Sequence, residues 1–304
     1  MTEIKLSQGA KPGHGGLLPA AKVAPEIARV RSVPAHSDCV SPRAHSIFAN
    51  PVELMEFAAN MRELSGGKPV GLKLCIGHPH EPFALVKAML KTGILPDFVV
   101  VDGGEGGTGA APLELSDWVG MPLSEGLVLM RNALVGAGLK NSVRLAASGK
   151  VYSGMGLARN MAQGADWCNA ARAFMMSVGC IQAQRCHTGT CPTGVTTQDP
   201  LLRRGLVPEI QGKRTLKALA DIVAAAGFKH PTDLRPHHIM HRTGSERAEP
   251  MDRIHTFLPE GILLDAPEDT IYADWWAAAR AESFMPAVDL AQRRSSGLPP
   301  GSQI

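Results

Sequence analysis

Three cysteines, Cys180, Cys186 and Cys191, fall within twelve residues and form the densest cluster of metal-binding side chains in the chain. Thiolates at spacings of six and five can wrap one compact iron–sulfur cluster, with Pro192 stiffening the exit. His187 makes a Cys3His zinc site the rival, although zinc sites usually set two cysteines on a CxxC knuckle and none is present. Unligated thiols are the third reading. Cys39, Cys75 and Cys168 read as small buried hydrophobes. Six cysteines in 304 residues are too sparse for a disulfide scaffold.

The second chemical signal is the loop Val101–Pro112, in which Gly103, Gly104, Gly106, Gly107 and Gly109 surround Glu105 and Thr108. Such a loop lets backbone amides approach a flat ring or an anion, and the bland alternative is a flexible surface turn. It has neither the GxGxxG spacing of a dinucleotide fingerprint nor the Gly-Lys-Ser/Thr of a phosphate loop. Ser148, Gly149 and Lys150 follow one apolar segment, and Ala171 with Arg172 follow the next. In a barrel those two positions bind cofactor phosphates on amides, a helix start and a cation, or else they are ordinary strand–helix turns. Lys5, Gln8, Lys11 and the turn Gly13–Gly16 make a cationic loop suited to an anionic substrate or cofactor, with a solvated N-terminal segment as the alternative. Lys73 interrupts the apolar run Val70–Leu74, as a residue pointing into a barrel mouth would. His237, His238 and His241 have i, i+4 metal spacing, but such histidines more commonly serve packing or the surface.

These residues need a frame, and the pattern between Pro51 and Ala171 supplies one. Leu54, Phe57, Ala58, Met61 and Leu64 recur at helical spacing and stop at Gly66-Gly67. Further helices are expected from Phe83 to Lys91, closed by Gly93, near Leu123–Leu139, and from Ser153 to Gly164. Strands are expected at Glu3–Ser7, Val70–Cys75, Phe98–Val101, Val143–Ala147 and Trp167–Ala170. Strands alternating with helices imply parallel pairing by right-handed crossovers. Glycines after several successive strands favour a (β/α)8 TIM barrel over a doubly wound sheet. Five strands are too few for closure, so the expected α/β fold is a barrel lacking its first strands. Its two end strands should be open edges. The expected division is a partial barrel over 1–211 with the cysteine loop at 180–191, a helical extension over 212–288, and a disordered tail over 289–304.

Composition excludes several classes. Lys and Arg number 31 against 28 Asp and Glu, a net +3 without clustering, so no nucleic-acid partner is expected. No run approaches the ~18–20 apolar residues of a membrane helix, and the N-terminal residues lack the apolar core of a signal peptide. The expected location is the cytoplasm.

Taken together, three motifs resemble the synthase domain of glutamate synthase, in particular the shorter FMN-binding glutamate-synthase-like proteins. They are Ile4-Lys-Leu-Ser-Gln-Gly-Ala-Lys-Pro-Gly13, Gly103-Gly-Glu-Gly-Gly-Thr-Gly109, and Cys180–Cys191 continuing through Cys-Pro-Thr-Gly-Val-Thr-Thr-Gln-Asp-Pro200, and the similarity spans approximately residues 3–285. The resemblance implies FMN at the barrel's C-terminal mouth and a 3Fe-4S cluster on Cys180, Cys186 and Cys191. It also implies 2-oxoglutarate contacts near Lys5, Gln8, Lys11 and Arg31. The implied reaction is reductive amination of a 2-oxo acid with ammonia or glutamine-derived nitrogen. Electrons would come from ferredoxin or an NAD(P)H-oxidising subunit, and a homo-oligomer is a further expected partner. Leu17 stands where the family places a substrate-contacting glutamine, and Glu105 where it usually has aspartate. The family's glutaminase domain and first barrel strands have no counterpart in these residues. The rival expectation is a shortened, catalytically silent chain that binds a cluster or a partner protein.

Overall fold

The computed structural model describes residues 1–107, 109–206 and 213–287. It begins with β1 (Thr2–Lys5), β2 (Gly16–Leu18), α1 (Pro25–Arg31) and β3 (Cys39–Ser41). The alternating core follows as α2 (Pro51–Leu64), β4 (Val70–Leu74), α3 (Glu81–Thr92), β5 (Phe98–Asp102), α4 (Leu123–Gly136), β6 (Arg144–Ser148), α5 (Gly154–Ala162) and β7 (Trp167–Asn169). Next come α6 (Ala171–Ser177), α7 (Pro200–Arg203), α8 (Lys213–Ala225), β8 (Met240–Arg242), β9 (Ala248–Pro250), α9 (Met251–Ile254), α10 (Ile262–Asp265) and α11 (Ala273–Ala278).

Local chemistry sets the helix ends. Asn50 accepts the Glu53 amide at 3.0 Å ahead of Pro51, so α2 starts on a capped turn. Gly93 closes α3 in the left-handed region at φ 69°, where a Cβ would be strained. Ser153 Oγ accepts the Gly156 amide at 3.0 Å and starts α5.

The five strands β1-β4-β5-β6-β7 pair in chain order, every neighbour parallel. An unreversed order is barrel-type winding; a doubly wound sheet reverses direction at a switch point. As expected, β1 and β7 are the two edges. Ile4, Leu72, Leu74, Val99, Val101, Leu145 and Ala147 pack with α2, α3 and α4 in one core. Side chains of the other parity, Phe98, Val100 and Ala146 with Trp167, form a separate cluster on the opposite face. Gly71 has no side chain because one would collide with the Phe98 ring, 2.3 Å from an ideal Cβ. Burying each large apolar side chain of this kind contributes roughly 1.5–3 kcal/mol.

The sequence pattern missed two paired elements, one of them the antiparallel pair β8–β9 with Met240 opposite Pro250. Strands β2 and β3 form a short antiparallel ribbon, Gly16 opposite Ser41 and Leu18 opposite Cys39. Beyond α8, which packs Val223 against Ala158 and Ala162 of α5, the chain is less helical than expected. Prolines 231, 236, 250 and 267 each begin a short turn or helix or end a strand. The stretch 256–285 is strapped over the outer helices. Asn132 donates to the Thr256 carbonyl at 2.6 Å and accepts the Leu258 amide at 2.9 Å, while Lys87 donates to the carbonyls of Trp276 and Ala279 at 2.5 and 3.0 Å. Among the described residues no helix is long and apolar enough to cross a membrane. The expected tail over 289–304 lies outside the described residues, as do Thr108 and the boundary near 211.

Candidate functional site

The loops after β5, β6 and β7 meet at the carboxyl end of the sheet around a cavity of about 490 Å³. Gly109, Lys150 and Arg172 border it together with all three clustered cysteines, and Met175, Met176, Ile181 and Val195 make it partly apolar. Lys150 sits at φ 44°, a left-handed conformation unusual for a residue with a side chain. Its ammonium bonds both carboxylate oxygens of Asp117 at 3.1 and 3.3 Å. Arg172 donates from Nη2 to the Gly107 carbonyl and so reaches back to the glycine loop. An incoming phosphate would compete with Asp117 for Lys150. Gly149 and Ala171 adjoin these residues in the chain but do not border the cavity, and Ser148 ends β6 opposite Asp102.

The glycine loop is neither an open cradle nor a loose turn. Gly103 donates its amide to Ser148 O at 2.8 Å, Gly104 to Met121 O at 2.9 Å, and Gly106 to Gly103 O at 2.9 Å. A Cβ at Gly104 would stand 2.3 Å from Gly120 O, and one at Gly107 2.3 Å from the Ala10 side chain. These glycines therefore let protein loops, rather than a ligand, come close. Glu105 is engaged in the same packing, since both its carboxylate oxygens accept the Leu123 amide at 3.0 and 2.9 Å. That places an anion at the start of α4, where helix polarity favours it.

Among the described residues no three His, Cys, Asp or Glu side chains are gathered closely enough to hold a metal ion. The cysteines share a cavity without a preformed ligand cage, and two of the sulfurs have local partners. Cys180 Sγ accepts the Gln182 amide at 3.5 Å, and Cys191 Sγ lies 3.6 Å from Thr193 Oγ1. Desolvation raises the Cys191 thiol, but hydrogen bonds from Thr196 and Thr193 outweigh it and bring the thiol down to about 6. A thiolate donor is thus available near neutral pH, as iron–sulfur or zinc ligation requires. By contrast burial, aided by the Asp102 charge, pushes Cys75 up to about 12. Burial also pushes Cys168 up to about 11, against a hydrogen bond with Asn160. Of the three cysteines expected to be small buried hydrophobes only Cys75 is buried, while Cys168 and Cys39 are partly exposed. His237 and His238 contact each other, ring centroids 4.0 Å apart.

Lys22, which no sequence signal marked, fastens the cysteine loop. It is 9% exposed, and its ammonium donates to the carbonyls of Cys186 and, at 3.0 Å, Thr196. Hydrogen bonds to charged groups contribute roughly 1.5–3 kcal/mol. Lys22→Met should therefore open the loop more readily and raise the iodoacetamide alkylation rate of Cys186 and Cys191 about tenfold in iron-free protein. Peptide-resolved mass spectrometry checks this, and an unchanged rate would show that the loop does not depend on the tether.

A second cavity, about 330 Å³, opens at the end of β1 and is bordered by Lys5, Gln8 and Lys11. Lys5 Nζ donates to Gln8 Oε1 at 2.6 Å. Desolvation and the nearby charges of Lys73 and Lys11 lower the Lys5 pKa against the pull of Asp102. Lys73 pairs with Asp102 at 3.3 Å, and Asp102 also accepts the Gly9 amide at 3.1 Å. Lys73 is thus part of the joint between loops. Arg31 ends α1, exposed and outside both cavities. Leu17 is likewise exposed on the ribbon.

An unreversed parallel β/α sheet with its long loops and charged cavities at the carboxyl end defines a barrel-type α/β protein. Residues 1–244 match the family described as a conserved region in glutamate synthase, and the chain belongs to that family. It is 41% identical over 247 residues to the glutamate synthase large subunit-like protein YerD of Bacillus subtilis, covering 79% of this chain and 47% of that protein. It is 35% identical over 241 residues to the archaeal glutamate synthase [NADPH] of Methanocaldococcus jannaschii, covering 77% and 46%. The chain therefore spans about half the length of these curated relatives. Among solved structures, a flavocytochrome b2 double variant with sulfite bound aligns at a TM-score of 0.39 and 13% identity, over 79% of this chain and 47% of that one.

Proposed function

We propose that this chain carries glutamate-synthase-type flavin and iron–sulfur chemistry, the reductive amination of 2-oxoglutarate to glutamate. The observation that carries the reading is the single cavity bordered by Lys150, Arg172 and the three cysteines. Two cations beside an apolar wall suit a phosphate joined to a flat ring, and FMN is the cofactor of that description in this family. Lys150 and Arg172 would hold the phosphate, and the three thiolates a 3Fe-4S cluster. FMN, when bound, supplies hydride transfer. Lys5 and Lys11 hold the substrate's carboxylates, and Gln8 fixes the Lys5 ammonium in place. Met175, Met176 and Ile181 give the larger cavity an apolar wall against which a flat ring would lie. Ammonia or glutamine-derived nitrogen, and electrons from ferredoxin or an NAD(P)H-oxidising subunit, complete the proposal. A reducing cytoplasm suits the six free thiols.

The test is glutamate formation from 2-oxoglutarate and ammonium by the protein supplied with FMN, iron and sulfide, with dithionite-reduced ferredoxin as electron source. The reading requires product that depends on both FMN and ferredoxin. Product independent of FMN, or none at all, would contradict it.

A further inference from the structure

Lys22 does more than fasten the cysteine loop. Among the described residues it is the one buried lysine, and it has no ion-pair partner. Three features fix its ammonium in place. The turn Ala20–Lys22 is closed by the Lys22 amide, which donates to Pro19 O at 2.8 Å, and the Ala20 amide anchors it on Asp38 at 2.7 Å. The side-chain stem lies against Gly189, where an ideal Cβ would stand 3.7 Å from Lys22 Cε. The ammonium then donates to the carbonyls of Cys186 and Thr196, the first of them on a residue proposed to ligate iron. Other cations around the first cavity are placed differently. Lys150 is paired with Asp117, and Arg185 and His187 are exposed, so solvent and salt screen them. Arg172 is half-buried and bonds the glycine loop instead.

We infer that Lys22 sets the reduction potential of the iron–sulfur cluster, acting as a fixed internal cation that favours its electron-rich state. This rests on the cluster reading in the proposed function above. A one-electron reduction, with the electron supplied by ferredoxin or another one-electron donor, leaves the cluster and its three thiolates one charge more negative. A cation held out of water, where the effective dielectric is low, stabilises that state more than the oxidised one, so the potential rises. A neutral donor to the same carbonyls would hold the loop without this effect. The two roles of Lys22, tether and charge, therefore predict shifts of opposite sign when it is removed. Losing the charge lowers the potential. Opening the loop alone admits water, which favours the more charged state and raises it.

Potentiometric titration of the reconstituted protein, read by the electron paramagnetic resonance signal of the oxidised 3Fe-4S cluster, tests this. Lys22→Met should reduce the one-electron equilibrium constant about tenfold, a potential lower by about 59 mV. Lys22→Gln, which keeps an N–H donor and loses the charge, should show the same fall. Lys22→Arg should retain most of the unmodified value. Lys68→Met, which removes an exposed lysine ahead of β4, should leave the potential unchanged. A potential unchanged or raised in Lys22→Met and Lys22→Gln would overturn the assignment of Lys22 and leave the cluster reading standing. If the unmodified protein takes up no 3Fe-4S cluster, the cluster reading fails and this assignment with it.

Discussion

Gly9→Ala should be the most destructive single-methyl change in the molecule. An ideal Cβ at Gly9 would stand 1.7 Å from Gly103 O and 2.5 Å from Gly103 C. Both partners are backbone, so no side chain can swing aside. The loop after β1 must then lift from the loop after β5, which costs the Gly9 amide its bond to Asp102 and loosens Lys73. Overpacking of this kind costs up to ~3 kcal/mol or more. At roughly 2 °C per kcal/mol in a chain of this size, the melting midpoint should fall by about 6 °C. Gly244→Ala is the control, because nothing lies within 4 Å of its Cβ. Equal midpoints for the two variants would mean that the joint between the two loops is not held as described.

Cys186→Ser should abolish the brown chromophore that anaerobic iron and sulfide reconstitution gives the unmodified protein. The cluster reading gives each of the three thiolates one iron to hold, and serine is a poor substitute for a thiolate at iron. The fold should survive, because Cys186 lies in the loop between α6 and α7 and outside the apolar cores. Cys39→Ser, on the β2–β3 ribbon, should leave the chromophore intact. Bound iron and visible absorption, with far-ultraviolet circular dichroism for the fold, check the result. Stoichiometric zinc in place of iron would favour the Cys3His alternative, and unchanged iron in Cys186→Ser would remove the cysteine from the site.

The parallel sheet was legible because its strands carry apolar runs and its helices carry caps that act locally. Asn50, Gly93 and Ser153 each work within a few residues of themselves. The ribbon was not legible, since β2 and β3 are three residues each and α1 lies between them. Pairing over that distance depends on the tertiary frame and leaves no turn signature. The glycine loop stood out by composition, and its close contacts are with Gly120, Ala10 and Gln184 of the protein itself. Lys22 illustrates the limit best. Between Ala21 and Val23 nothing in its sequence context says that its ammonium reaches a loop more than 160 positions away, at Cys186.

The central claim is that the loops after β6 and β7 present Lys150 and Arg172 to a flavin phosphate. The direct measurement is FMN fluorescence quenching by the unmodified protein, by Lys150→Ala/Arg172→Ala, and by riboflavin in place of FMN. Two charge-assisted contacts together are worth roughly 3 kcal/mol, or about 100-fold in affinity. The double variant should therefore bind FMN about 100-fold more weakly while binding riboflavin, which has no phosphate, as the unmodified protein does. FMN bound equally well by both proteins would contradict the account.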